Sequence, residues 1–130
     1  MLVEDIAGRL VIAGHGTIGT DLFMHMMPEE PDECIAIFAY EGEAPRYVHD
    51  QVAFDTEAPR IQVMIRSAQP NTAYETAYAV LYSLETIRNE VINGVRYLTV
   101  KPTTSPEIIE RDGNGLYLAV VNFMAEKEAS

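Results

Sequence analysis

The sequence has one cysteine, Cys34, so no internal disulfide can form and no metal site built from several cysteines is possible. Such cysteine usage suits a reducing cytoplasm. Basic residues are scarce: nine Lys and Arg stand against twenty Asp and Glu, a net charge of −11. That balance argues against a general nucleic-acid binder, which needs a basic footprint. It also argues against docking on an anionic membrane. It leaves room for a role beside DNA, because an acidic surface does not adhere to phosphates, although solubility alone is the plainer reading. No apolar run approaches the roughly 20 residues needed to span a bilayer. The start, Met1 to Asp5, is acidic and is not expected to act as a signal peptide. Neither repeats nor low-complexity tracts occur.

What is present is a chain of 130 residues, 48% hydrophobic and 22% charged, which predicts a folded single domain over residues 1–130. Residues 2–13 read as a short amphipathic helix, with Leu2, Val3, Ile6, Leu10 and Ala13 on one side and Glu4, Asp5 and Arg9 on the other. Short strands are expected at 21–26 and 34–40, the second apolar on both faces. Residues 41–59, with Gly42, Pro45 and Pro59, read as a long polar connection, and a connection of that length is functional or mobile. Its Arg46, Tyr47 and Phe54 are candidate partner-facing residues. Residues 60–68 alternate as a strand. The strongest helix signal runs from about 72 to 91, with a Thr72–Glu75 capping pattern, an apolar stripe ending at Ile87 and Val91, and Asn93-Gly94 as its stop. A strand at 95–101 and a hairpin with arms 107–111 and 116–125 complete the chain. The pattern predicts an α+β fold: a mixed, mainly antiparallel sheet of four to five strands packed with two helices.

Gly14-His15-Gly16-Thr17-Ile18-Gly19 matches G-x-G-x-x-G. A dinucleotide site needs a full helix after the third glycine, and here Pro28 follows after about two turns, so a flexible connection is the better reading. His15, His25 and His49 have no i, i+4 partner for a helical metal site. Cys34 has no activator nearby in sequence and reads as a buried packing residue. The carboxylates Glu29, Glu30, Asp32 and Glu33 lie among prolines on a solvated turn, and Asp112 to Gly115 reads as a hairpin turn rather than a calcium loop. No catalytic, cofactor-binding or metal-ligating residue is therefore expected.

Tyr74, Tyr78 and Tyr82 recur every four residues on the long helix. They fall roughly 90–170° from the centre of its apolar stripe. Two readings stay open. The tyrosines form a subunit interface, where tyrosine is enriched, or the 41–59 segment covers them within one chain. Arg66, on the strand before the helix, joins them as a candidate interface residue.

Several segments, in order, carry a family resemblance. Asp21-Leu22-Phe23, Met27-Pro28 and Pro31-Asp32 lead into the strand Cys34 to Tyr40, followed by Glu41-Gly42 and Pro45. Then come Pro59-Arg60-Ile61-Gln62-Val63-Met64-Ile65-Arg66 before an alanine-rich helix, Pro106, Arg111-Asp112-Gly113, and Val121-Asn122-Phe123 in the last strand. Over residues 21 to 124 the chain resembles the minor capsid or tail-terminator family of siphophages and gene-transfer particles. The resemblance implies a structural virion protein without enzyme activity or cofactor. It would cap the tail tube as a ring, usually a hexamer, end tube polymerisation and form the head-joining surface. The implied partners are copies of itself, the tail tube protein, head-completion or neck proteins, and genomic DNA crossing the lumen without specific binding. The implied place is the head-proximal end of the tail in the virion, and the host cytoplasm during assembly. A head-completion or neck protein, or a small ligand-binding or enzymatic domain using the glycine loop, are the alternatives.

Overall fold

Prolines, glycines and one Asn-Gly pair set the element boundaries. The computed structural model describes residues 2–46, 56–111 and 115–128, with side chains excepted at 41–46 and 109–111. Its elements are α1 (Leu2–Ile12), β1 (Leu22–Met24), β2 (Cys34–Arg46), β3 (Thr56–Ser67), α2 (Pro70–Glu85), β4 (Arg88–Ile92), β5 (Val95–Pro102), β6 (Glu107–Arg111) and β7 (Tyr117–Glu128). The α+β class and the mixed, mainly antiparallel sheet agree with expectation. The strand number does not: seven strands join one sheet, in the order β1-β2-β3-β7-β5-β4, with β6 also on β7.

β7 is the hub. One edge pairs with β3 from Ser67↔Tyr117 to Thr56↔Glu128. Its other edge is shared. β6 takes the first half, up to Glu107↔Val120, and β5 takes the second, from Pro102↔Phe123 to Tyr97↔Lys127. Between them the chain leaves the sheet, and two hydrogen bonds fill the gap: Thr103 N–H donates to the Asn122 carbonyl at 2.8 Å, and Asn122 N–H donates to Thr104 Oγ1 at 3.1 Å. The backbone of β7 thus stays paired where β5 gives way to β6.

Strand alternation sends Ile61, Val63 and Ile65 of β3 to the same face as Ala119, Val121, Phe123 and Ala125 of β7. On that face they meet Ala73, Ala77, Val80, Leu81 and Leu84 of α2 and Val3, Ile6, Ala7 and Leu10 of α1 in one continuous core. Alanine at 73 and 77 leaves no bulk between helix and sheet, so α2 lies close against the central strands.

The expected helix from 72 to 91 is shorter and starts earlier. Pro70 occupies its first turn, where a missing N–H costs nothing, and Gln69 precedes it without a side-chain cap. Thr86 ends it: its Oγ1 donates to the Ser83 carbonyl at 2.6 Å. Asn93-Gly94 is not a helix stop but the two-residue loop between β4 and β5, which pair at Ile92↔Val95. Both loop residues have positive φ, 50° and 81°, as a type I′ hairpin turn requires. The helical spacing of Ile87 and Val91 is a coincidence of period, since Val91 lies on β4. The described ends of the expected connection 41–59 are strand. β2 runs on to Arg46 and β3 begins at Thr56, with pairings Glu43↔Ala58 and Arg46↔Thr56. Register shifts between Tyr40, Glu43 and Arg46 accommodate Gly42 and Pro45, which strands tolerate at bulges. Residues 47–55, and residues 112–114 where a hairpin turn is expected, lie outside the described residues.

α1 ties the two margins of the sheet together. It packs on β1 and β2 at one margin. At the other, the buried Asp5 carboxylate accepts the Tyr97 hydroxyl at 2.6 Å and Asn93 Nδ2 at 2.7 Å. Arg9 adds Nε to Glu90 Oε2 at 3.0 Å and Nη2 to Thr86 Oγ1 at 3.2 Å. The side of α1 that looked solvated in the sequence is thus a docking face for the β4–β5 hairpin.

Burial, and secondly the hydrogen bond to Asp5, pushes the Tyr97 phenol well above the ordinary tyrosine range. The fold therefore favours its protonated form. That stabilisation is complete below the unfolded tyrosine value of about 10 and declines as pH rises above it. Tyr97→Phe should cost about 1.5–3 kcal/mol at neutral pH, as a hydrogen bond to a buried carboxylate is lost. Urea unfolding across pH should also show a shallower alkaline decline in Tyr97→Phe than in the native chain. Gly94→Ala should cost about 1–2 kcal/mol. A Cβ there meets nothing within 4 Å, so the cost is conformational and shows as a lower urea midpoint without a changed slope.

Candidate subunit interface

Helical spacing puts Tyr74, Tyr78 and Tyr82 in one row along α2, and the row is exposed. Tyr74 is 41% and Tyr82 62% accessible, with Tyr78 half-buried between them. Tyr74 and Tyr78 meet edge-on with ring centroids 5.0 Å apart, and Tyr78 and Tyr82 are tilted at 5.9 Å. The Tyr74 hydroxyl donates to that of Tyr78 at 3.3 Å, which pushes the Tyr74 phenol up. The contacts stack the three rings into a continuous aromatic ladder on the helix surface.

The opposite flank of α2 faces the chain after α1. His15 Nε2 is 2.7 Å from Ser83 Oγ, and burial lowers the His15 pKa. Nearby, the glycine loop is closed on itself. Asp21 Oδ1 accepts the Thr17 N–H at 2.7 Å, and a Cβ on Gly16 would lie 2.7 Å from the same oxygen. A carboxylate thus takes the donor and repels the phosphate that a nucleotide loop would hold. The next element is the three-residue β1, not a helix. The glycines serve a tight turn.

Cys34, Arg66, Asp21, Glu33 and His15 line a small cleft of about 130 Å³. Burial raises the Cys34 thiol despite the nearby Arg66 cation, so it is a poor nucleophile. Arg66 is not part of the tyrosine row. It is buried, alternates to the face opposite Ile61, Val63 and Ile65, and donates to the carbonyls of Pro31 at 2.7 Å and Asp32 at 3.3 Å. With Glu33 Oε1 accepting the Ala68 N–H at 3.0 Å, it fixes the acidic turn before β2. Arg46 ends β2, with Tyr47 and Phe54 outside the described residues. His25 sits 3.7 Å from Glu4, and His49 is likewise outside. Among the described residues, no helix is long and apolar enough to cross a membrane.

The sequence reading missed a second exposed apolar surface. Ile12 at the end of α1 is 81% and Val91 on β4 is 53% accessible, and they border a cleft of about 240 Å³ between the two elements. Its signal was hidden because Val91 fits the period of the preceding helix.

If the tyrosine row is a surface for partners rather than part of the core, truncating it costs the subunit little. Tyr82→Ala should shift stability by less than about 1 kcal/mol, measured by thermal unfolding.

A comparison with curated protein sequences gives no match. Among solved structures, a chain from the virion of a native gene transfer agent particle is similar at a TM-score of 0.62, with 14% identity over 95% of this chain and 84% of that one. A second solved structure is similar at 0.58, with 12% identity over 98% of this chain and 92% of that one. At such identities the likeness is one of fold. The family model described as bacteriophage tail terminator protein matches residues 10–129, nearly the whole chain, and the chain belongs to that family.

Proposed function

We propose that this phage structural protein caps the tail tube as a ring of identical subunits, ends tube polymerisation and forms the surface to which the head joins. The carrying observation is the exposed tyrosine row on a chain of the tail terminator family. A rigid aromatic ladder on a surface helix is the kind of feature that subunit contacts bury. Closed rotational symmetry lets one such patch and its complement satisfy every copy, and six copies is the count we favour. The fold shared with a chain of a gene transfer agent virion supports a place in a particle, at the head-proximal end of the tail after assembly in the host cytoplasm. Arg46, Tyr47 and Phe54 are assigned to contacts with the tube or neck proteins. The net charge of −11 suits a lumen through which DNA moves, because acidic walls do not retain phosphates.

Tyr78→Glu places a charge in the middle of the row without touching the core. The variant subunit should fold as the native one does by circular dichroism. Phage carrying it should produce overlong or headless tails in electron micrographs, and titres should fall by orders of magnitude. Normal infectious particles from this variant would remove the tyrosine row from the ring contact.

A further inference from the structure

The sheet has a second apolar face. Among the described residues, both helices pack on the side of Ile61, Val63 and Ile65. The opposite side of the same strands carries Phe38 of β2, Met64 of β3, and Val120 and Met124 of β7, tied by the pairs Phe38↔Gln62, Met64↔Val120 and Arg60↔Met124. None of the four belongs to the core that the helices close. A sheet with two apolar faces is stable in water when a layer covers each.

Two buried polar atoms in the middle of this face have no partner, Arg60 Nε and Asn122 Oδ1. Arg60 is paired with Met124, two residues along β7 from Asn122, so the two are diagonal neighbours on adjacent strands. An unpaired buried donor or acceptor is unfavourable. The covering layer must therefore accept from the first atom and donate to the second, and a tyrosine hydroxyl does both.

Charge narrows the occupant. The cross-strand row Tyr40, Arg60, Met124, Lys101 and the adjoining row Phe38, Gln62, Asn122 hold two cations and no acid. Glu126 and Glu107 stand one row further out on either side. Such a centre is scarce on a chain of net charge −11, where Arg9, Arg66, Arg96 and Lys127 are already held by acids or carbonyls of their own chain. The exposed face of α2 is its complement. α2 has Glu75 and Glu85 and no basic residue, and both acids fall within roughly 60° of Tyr78 around the helix, on the tyrosine side. Glu85 shares a pocket with Arg88 and Lys101 of its own chain, whereas the exposed Glu75 meets no cation among the described residues.

We infer that the tyrosine face of α2 in one subunit lies on the outer sheet face of the next copy of the same chain, with a tyrosine hydroxyl at Arg60 and Asn122. The inference rests on the ring reading above and names the complement of the tyrosine row. Each α2 then sits between two sheets, its alanine-rich stripe on its own and its tyrosines on the neighbour's. A contact between two different patches propagates around a closed ring, whereas a patch that met itself would stop at a dimer.

The test is chemical cross-linking in purified particles. Native particles are first shown by mass spectrometry to hold the chain; its absence there overturns the ring reading and this contact with it. Particles are then made with the double variant Tyr82→Cys, Gln62→Cys and treated with a short bismaleimide, and the linked residues are mapped. Tyr82 is exposed and Gln62, beside Asn122, is half-buried, while the buried Cys34 should leave native particles unlinked. The double variant should give a ladder of covalent multimers joined between residues 82 and 62, and each single variant should give none. Dimers from either single variant would show a self-paired contact and overturn the inference. So would a link from residue 82 or 62 to a different protein, or the absence of any link while the chain is present. Should this variant not enter particles, Tyr74→Cys with Gln62→Cys probes the same contact from the other end of the row, with the same outcomes deciding it.

Discussion

The buried carboxylate of Asp5 is the constraint on which the architecture turns. A sheet this curled leaves two margins, one at β1 and one at β4, and an amphipathic helix of eleven residues must hold both. Apolar contact suffices on the β1–β2 side. On the other side the helix presents an acid, and an acid buried without donors would be strongly unfavourable. Tyr97 and Asn93 supply the donors, and both belong to the β4–β5 hairpin. The Asn-Gly turn, the buried tyrosine and the helix position are therefore one coupled unit. Because α1 and β4 form the walls of the outer cleft, the same bonds that close the core also set that cleft's width.

β7 distributes this order across the sheet. Its twelve residues contact three other strands, and the Thr103–Thr104 bridge lets two short strands act as a single edge. The core face of β7 supports α2, so the tyrosine row inherits the rigidity of the central strands rather than of a loop.

Much of this was legible in the residues. The alternation of Ile61, Val63 and Ile65 and the alanine-rich stripe of α2 placed the core face correctly, and the four-residue spacing of the tyrosines placed them on a separate flank. The order of prolines, strands and the Asp112-Gly113 turn was enough to suggest the tail-terminator family. What misled was local ambiguity. Ile87 and Val91 continue a helical period, and only the competing Asn93-Gly94 hairpin shows that the chain has already become strand. Gly42, Pro45 and Pro59 look like loop residues because bulges that absorb them have no sequence signature of their own. Asp5 and Arg66 read as surface charges, since a side chain's partner across the fold cannot be inferred from its neighbours in the chain. The outer cleft was invisible for the same reason: it exists between two elements distant in sequence.

The Asp5–Tyr97 bond joins residues 92 positions apart. Contacts of such separation carry a large loop-closure entropy and form late relative to local ones. During synthesis α1 precedes the β4–β5 hairpin, so it can pack on β1 and β2 early but cannot complete its buried polar bonds until the hairpin near residue 97 has appeared. β7, which must then enter between β3 and β5, comes later still. The bonds that fix α1 across the sheet therefore wait on segments made long after the helix itself.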